Sequence, residues 1–312
     1  MQVFNVQTEL WNALPAKQVF CHAGYTQLLN NSQIDNTLEL ELGKVESDLP
    51  TTLAALDAAA QNPTTKLPVD VYENLCWYCA FLWRISPFAK AKAPAEFVIQ
   101  INMDLEHGRC DLLRQVLGVS ENDMKQIQSA FTRGKKVIID SQDFLQLIYR
   151  IQCVLRCKED FVRFRHFTKW VVYNSPVELP ISDIALVQVG FKDVTVYLLP
   201  VSPHQLLAGT IRHGEQSKSD GTSITSNTLP ADEAQYWADV ISYAAQWSLV
   251  SQNIIPDVLA MRQRGATHVN FVKIVDPVLV VSAGVTDFNG TFGVRLVEVS
   301  EYTNFIHSYI RK

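Results

Sequence analysis

Twenty-nine consecutive residues in the middle of the chain, 140–168, contain neither proline nor glycine. Apolar residues recur there at spacings of three and four, as along one face of an α-helix, and Asp140 or Ser141 can cap its start. The next segment, 170–212, changes to short runs rich in Val, Ile and Tyr that are separated by turn residues. This second pattern is typical of antiparallel strands, so the chain is restricted to folds that keep a long helix and a β-meander in separate regions.

The whole pattern predicts an α+β fold, in which a largely helical N-terminal two-thirds packs on the antiparallel meander. Further helices and strands are expected toward the C-terminus, including a helical segment at 231–265. With 312 residues, 47% of them hydrophobic, the chain is near the upper size for one core. We therefore expect a single domain, 1–312, and keep a subdivision into a mainly helical part, 1–169, and a strand-rich part, 170–312, as the alternative.

Two local features carry expectations of their own. Pro50 interrupts a helical run that begins near Asp35, which predicts either a kink or a break into two helices. The segment 213–232 is polar and rich in Ser, Thr and Gly, which indicates a mobile loop.

Charge and hydropathy exclude some classes of protein. The net charge is −5, so the chain as a whole lacks the basic character of a general nucleic-acid binder, and any anion site must be local. No run of about 18 apolar residues occurs, and the start of the sequence has no signal-peptide pattern. These observations predict a soluble, cytoplasmic protein that does not enter a membrane, and they leave its oligomeric state open.

Short motifs do not identify a cofactor. No phosphate-binding or dinucleotide-binding glycine motif is found, so no nucleotide-binding loop is indicated. Cys76 and Cys79 have the spacing of a redox pair or half a zinc site, and Cys153 and Cys157 could complete four ligands. Both pairs fall within helical patterns, which favours buried core residues. A divalent metal stays compatible with the sequence because of the carboxylates described below.

The strongest local signal is the segment FVRFRHFTKW, 161–170, in which basic and aromatic side chains alternate. This composition is typical of surfaces that bind phosphates and stack bases, although cations near a helix C-terminus are also favoured by the helix dipole. The segment divides into the end of the long helix and the start of a strand at Trp170. The predicted anion-binding residues are Arg163, Arg165, His166 and Lys169.

A second group of residues suggests hydrolysis. Glu39 and Glu46 lie two helical turns apart and share a face, and Asp183 follows a proline at a predicted strand end. Together with His204, these carboxylates could hold a metal ion and activate water. A solvated helix face and a turn-capping Asp are the alternative interpretations.

The order of several short motifs resembles a bacterial family of unknown function that is catalogued as number 4238. The likeness lies in DNTLELELGKVE (35–46), FLWRISP (81–87), the passage from Trp170 to PISD (180–183), LLPVSPHQLL (198–207) and NIIPDVLAMRQRGATHVNF (253–271). Members of that family commonly open with a His-Tyr-x-Pro motif, which this chain lacks. The resemblance implies a shared fold and no particular activity.

Three functions are compatible with these patterns. The first is a regulatory or defence-associated protein that binds an anionic partner, such as nucleic acid, near residues 150–169. The second is a metal-assisted hydrolase or nuclease that uses Asp183 and a helix carboxylate. The third is a protein-interaction subunit without catalysis.

Overall fold

The computed structural model describes residues 1–15, 28–30, 33–35, 37–110, 113–114, 119–139, 156–191, 193–212, 222–268 and 294–310. The protein has an α+β fold, as the sequence predicts, with antiparallel sheets, one of which contains a parallel pair. The chain forms two compact units. Unit 1 contains Met1–Gln27, Asp35–Pro87 and Leu155–Phe271, and unit 2 contains Leu28–Ile34, Phe88–Val154 and Val272–Lys312. Two compact units can still fold as one domain, so the single-domain expectation stays a prediction.

The helices are numbered in chain order over the described residues. They are α1 (Thr37–Ser47), α2 (Leu49–Ala59), α3 (Val69–Ile85), α4 (Pro87–Glu106), α5 (Glu121–Thr132), α6 (156–167), α7 (Ala231–Ala244), α8 (Val258–His268) and α9 (Val299–Ile310). Pro50 breaks the early run into α1 and α2, one of the two predicted outcomes, because a proline fits the first turn of a helix better than its interior. Of the predicted helix 140–168, residues 140–155 lie outside the described residues.

The strands are numbered in the same way. They are β1 (Gln2–Asn5), β2 (Leu10–Ala13), β3 (Leu28–Asn30), β4 (Gln33–Asp35), β5 (Thr64–Lys66), β6 (Lys136–Ile139), β7 (Lys169–Asn174), β8 (Ile181–Ser182), β9 (Val187–Gly190), β10 (Val194–Ser202), β11 (Gln205–Arg212), β12 (Ser223–Thr228), β13 (Ser248–Ser251) and β14 (Val294–Val297).

Unit 1 is built on a six-stranded sheet with the order β5-β12-β7-β11-β10-β9. The predicted meander forms its antiparallel part, in which β11 pairs with both β7 and β10. The segment 213–232 contains strand β12, which pairs in parallel with β7, so the expectation of a loop over that whole segment was wrong for 223–228. The β-branched residues Ile224 and Thr225 fit a strand there, and residues 213–221 lie outside the described residues.

Opposite faces of this sheet bury different side chains, as the period of two along a strand requires. Trp170, Tyr197 and Leu207 face a core that also contains Leu75 of α3 and Phe164 of α6. On the other face, the core is completed by α7 and α8; it includes Val189, Leu198, Leu206, Ala238, Ile241 and Met261. The candidate site lies beside α6, at the end of this sheet.

Unit 1 also holds a four-stranded sheet with the order β2-β1-β13-β8. Strand β1 pairs with β13 from Gln2 opposite Ser251 to Asn5 opposite Ser248, so the sheet joins residues far apart in the chain. Phe4 and Leu249 are buried in the small core of this sheet, together with Ala245 and Val258.

Unit 2 has a separate hydrophobic core around α4, α5, α9 and the antiparallel pair β6 and β14. Phe97, Ile101 and Ile127 are fully buried in this core. The buried Asn102 amide donates to the carbonyl oxygen of Val137 over 2.8 Å and accepts from the Val137 N–H over 3.0 Å, so a side chain of α4 fixes the position of β6. Among the helices of the described residues, none is long and apolar enough to span a bilayer.

Candidate anion-binding site

The C-terminal end of α6 is held by side chains from three other positions. The hydroxyl of Thr168 donates to the carbonyl oxygen of Arg163, the indole N–H of Trp170 donates to that of Phe164, and the Tyr72 hydroxyl donates to that of Arg165. The last carbonyl groups of a helix have no partner within the helix, so these three bonds satisfy groups that would otherwise need water. They also fix the direction in which the basic side chains of the last turn leave the helix.

The aromatic residues of 161–170 do not form one continuous stacking surface. The ring of Phe161 stacks on Trp77 at 4.2 Å between centroids, and Phe164 is buried against Tyr197 and Trp170. Trp170 belongs to β7, as expected, and is buried. Phe167 differs from the others because 42% of it is exposed.

A buried carboxylate lies directly beneath the basic side chains. Asp160 is completely buried and forms an ion pair with Arg84 of α3 and a longer one with the Nη1 atom of Arg163, at 3.4 Å. Charges are rarely buried unless they are paired, so this carboxylate is a fixed anchor for two guanidinium groups. Arg163 keeps about half of its side chain exposed and therefore connects the buried anchor to solvent.

A cavity of about 570 Å³ lies within unit 1 at this point, between α6 and the ends of β7, β9, β10 and β11. Three of its lining residues are cationic and one is acidic, in a chain whose net charge is −5. The lining also includes hydroxyl, amide and apolar side chains. The lining residues are Glu159, Val162, Arg163, Phe167, Lys169, Gln188, Thr195, Tyr197, Thr210, Ile211 and Arg212.

The strand register explains how these residues reach one cavity. Thr195 pairs with Ile211, and Tyr197 lies two residues further along β10 on the same sheet face as Thr195. Lys169 pairs with Thr210, which belongs to the opposite face. Both faces contribute because the cavity lies at the end of the sheet, where β7 begins and β11 ends. Thr195 and Tyr197 are buried and form its floor.

The electrostatics of the floor centre on Tyr197. Burial raises the pKa of the Tyr197 phenol above its ordinary value, and the adjacent Arg163 guanidinium acts in the opposite direction. The hydroxyl is thus a proton donor at neutral pH, close to a guanidinium. Arg163 also hydrogen-bonds the Tyr197 hydroxyl, and the guanidinium has further N–H groups that can donate to an anion.

Only two of the four predicted anion-binding residues line this cavity. Arg163 and Lys169 do so, whereas Arg165 pairs with Glu73 of α3 at 2.8 Å. His166 contacts Arg165, with 2.9 Å between its Nε2 atom and the Nη1 atom of the arginine. Arg165 and His166 therefore take part in the attachment of α6 to α3.

Asp183, the predicted catalytic carboxylate, is hydrogen-bonded to the backbone of a turn. Its two carboxylate oxygens accept from the backbone N–H groups of Gln246 and Trp247, each at 3.0 Å. Burial raises the pKa of Asp183 above its ordinary range, and these backbone donors act against the shift. The arrangement is that of a carboxylate that holds the turn before β13.

The other predicted catalytic residues lie on other elements. His204 is in the turn between β10 and β11, at the opposite end of the hairpin from the cavity, roughly 20 Å along the strand. Glu46 is exposed on α1, and Glu39 is also on α1 but its side chain lies outside the described residues. Among the described residues, no group of three or more His, Cys, Asp or Glu side chains is placed to hold a metal ion.

Three cysteines of the described part of the chain occupy structural positions. Cys76 and Cys79 on α3 and Cys157 on α6 are buried in the core of unit 1, as favoured by their helical context. Burial raises the pKa of Cys76 to about 12, which makes its thiol a poor nucleophile. Cys153 lies outside the described residues.

Sequence reasoning missed the part of the site that comes from the sheet. Arg212, Thr195 and Tyr197 are separated from α6 by about thirty to fifty residues, and no local pattern links them to it. Arg212 is the last residue of β11 and directly precedes the polar segment 213–221. From the sequence alone, a cation at such a position is expected to be an ordinary surface residue. The pairing of β7 with β11 brings it to the end of α6.

Comparison of the chain with protein-family models, with curated proteins and with solved structures finds no match. The resemblance to the family catalogued as number 4238 accordingly stays a prediction.

Proposed function

We propose that this protein binds an anionic partner, and specifically a nucleic-acid strand, through the cavity at the end of α6. The observation that carries the proposal is the convergence of Arg163, Lys169 and Arg212 on one cavity in an acidic protein. Asp160 and Glu159 balance part of this positive charge, and a bound anion would interact favourably with all three cations. The proposal retains the sequence-based expectation of a cytoplasmic, regulatory protein.

The helix dipole accounts for only part of this convergence. Cations near the C-terminus of α6 are favoured by the dipole, which explains Arg163 and Arg165 without a ligand. Arg212 ends a strand and Lys169 begins one, so the dipole gives no reason for their position. The sheet therefore brings two further cations to the cavity that Arg163 lines, and this convergence supports a ligand.

Binding of a fluorescently labelled single-stranded oligonucleotide, measured by anisotropy, tests the proposal. We expect the triple variant R163A/K169A/R212A to bind at least tenfold more weakly than the native protein, since each lost phosphate contact removes favourable electrostatic energy. With about three phosphate contacts, the logarithm of the binding constant should fall with the logarithm of salt concentration with a slope of about −2.

The matched control is Lys158→Ala, which removes one cation from the same helix at a residue that does not line the cavity. This variant should bind as the native protein does. If K158A weakened binding as much as each of the single variants R163A, K169A and R212A does, the binding would reflect general charge attraction and the proposal would be contradicted. Normal binding by the triple variant, with a native circular dichroism spectrum, would contradict it as well.

Arg165→Ala has a different expected effect. Because Arg165 is paired with Glu73 and does not line the cavity, its loss should lower thermal stability and leave the affinity for the oligonucleotide unchanged. The sequence alone grouped Arg163 with Arg165, and this experiment separates their roles.

A further inference from the structure

We infer that the cavity takes a single nucleotide unit that carries a terminal phosphate, at the end of a single strand or as a free mononucleotide. This inference rests on the proposed function and specifies which part of a nucleic acid enters the site. It is carried by three features of the cavity: its size, its donor groups and an exposed aromatic ring.

The size of the cavity limits what can enter. A volume of about 570 Å³ is within the range of small-molecule sites, which run from roughly 300 to 1,000 Å³. Thr195 and Tyr197 line the cavity and are only 7% and 3% exposed. A duplex presents its phosphates on a wide convex surface, which fits a cavity of this size less well than a strand end does.

The donor groups that line the cavity match a terminal phosphate better than an internal one. A phosphate monoester has three terminal oxygens and a charge of about −1.5 to −2 at neutral pH, whereas an internal diester has a single charge and a sugar on each side. The Arg163 guanidinium, the Lys169 ammonium and the Tyr197 hydroxyl are three donor groups that line one cavity. Asp160 holds Arg163 in place before any ligand arrives.

An aromatic ring is available for the base. Phe167 is on the same stripe of α6 as Arg163 and Glu159, because residues four apart share a helix face, and all three line the cavity. It is a large apolar side chain with 42% of its surface exposed, next to cations, which is the composition of sites that stack nucleobases. Glu159 is an acceptor at the same wall for an exocyclic amino group or a sugar hydroxyl.

The test is a competition experiment against a labelled single strand that carries a 5′ phosphate. The competitors are the same strand with a 3′ phosphate, the same strand without terminal phosphate, a blunt hairpin duplex of equal charge, and a nucleoside monophosphate. We expect a terminally phosphorylated strand to compete about tenfold better than the unphosphorylated strand, and the hairpin to compete worst. Competition by the nucleoside monophosphate assigns the ligand to a free nucleotide, and its failure assigns it to a strand end.

The matched pair of variants is Phe167→Ala and Phe191→Ala. Both rings are exposed in unit 1, at 42% and 46%, and only Phe167 lines the cavity. F167A should lose about tenfold in affinity through lost base stacking, and F191A should lose none. The inference is overturned if the hairpin or the unphosphorylated strand competes as well as the phosphorylated one, or if the two variants behave alike. Those results leave anion binding intact, whereas the absence of binding to every nucleic acid would overturn the proposed function itself.

Discussion

At the scale of single residues, Asp160 connects the stability of unit 1 to its candidate site. Its carboxylate is completely buried, and its partners are the buried Arg84 and the half-exposed Arg163. The pairing of a buried charge is costly to break because the remaining partner then keeps an uncompensated charge in a low-dielectric environment. The residue that pairs with Arg163 at the candidate site is thus also one that the fold requires.

We predict that Asp160→Asn lowers the free energy of unfolding by about 3 kcal/mol, since the buried Arg84 guanidinium loses this carboxylate. Urea denaturation monitored by circular dichroism measures the change. Glu159→Gln, the exposed neighbouring carboxylate, is the control and should change stability by less than about 0.5 kcal/mol. Equal effects of the two substitutions would contradict the role of Asp160.

Asp183 provides a pH-dependent prediction. Burial raises its pKa in the folded protein above the ordinary value of 3.8, so the folded state binds this proton more tightly than the unfolded state does. Its contribution to stability is fully present below pH 3.8 and is lost as the pH rises through the folded pKa. The stability of the native protein relative to Asp183→Asn should therefore fall between about pH 3 and pH 6.

Urea denaturation of both proteins across this pH range checks the sign. The cause of the shift is burial and not a neighbouring charge, so the same trend should persist in 0.5 M salt, at which surface charges are largely screened. A stability difference that rises with pH would contradict the assignment of Asp183 as a desolvated carboxylate.

At the scale of elements, the crossing of α7 and α8 depends on one glycine. A methyl group added at Gly265 would lie 2.2 Å from the carbonyl oxygen of Asp239 and 2.7 Å from the Cβ atom of Tyr243. Neither backbone nor Cβ atoms can move without shifting a helix, so the two helices approach closely only because residue 265 has no side chain. Arg264 on α8 then reaches Asp239 on α7 with two hydrogen bonds, of 2.7 and 2.8 Å.

Gly265→Ala should destabilise the protein by about 2 to 3 kcal/mol because of overpacking at this crossing. The control is Gly43→Ala on α1, where an added methyl group meets nothing within 4 Å. That substitution should raise stability by up to about 1 kcal/mol, because alanine favours the helix over glycine. Thermal unfolding distinguishes the two, and a neutral G265A would contradict the close crossing.

Some helices and strands could be predicted from the sequence alone, and others could not. Helical periodicity and the position of Pro50 predicted α2 and α3, because both signals lie within the residues of the helices themselves. The Val-rich runs predicted β7, β9, β10 and β11 for the same reason. Strand β12 was missed because its polar sequence resembles a loop, and its place in the sheet is decided by parallel pairing with β7. Tertiary pairing overrode the local composition at 223–228.

At the scale of the whole molecule, the described residues form three hydrophobic cores in unit 1 and one in unit 2. Phe164 is fully buried in unit 1 and Phe97 in unit 2. Replacement of a buried phenylalanine by alanine typically lowers the free energy of unfolding by about 3 to 5 kcal/mol. A loss of this size is large enough to show whether the two units unfold together.

We predict that Phe97→Ala increases amide hydrogen exchange throughout unit 2 and leaves that of unit 1 nearly unchanged, and that Phe164→Ala has the reverse effect. Exchange followed by mass spectrometry resolves the two units by peptide. A uniform increase over both units in either variant would show a single cooperative domain, as the sequence analysis expected.

The site itself could be only half predicted at this scale. Arg163 and Lys169 were predicted because they flank the border of helix and strand, which is visible in the sequence. Arg212, Thr195 and Tyr197 were not, since their proximity to α6 follows from strand register. Arg165 was predicted to bind an anion together with Arg163, and its pairing with Glu73, more than ninety residues earlier in the chain, cannot be identified from local sequence.

The pairing of β1 with β13 also affects how the protein is made. Residues 2–5 must wait for residues 248–251 before this pair can form. At a synthesis rate of roughly 5 to 20 residues per second, the ribosome needs about 12 to 50 seconds to add the residues between the two strands. During that interval β1 has an open backbone edge on its β13 side, and only the local hairpin with β2 is available to it. Nascent chains of this protein are therefore expected to depend on chaperone protection until β13 has left the ribosome.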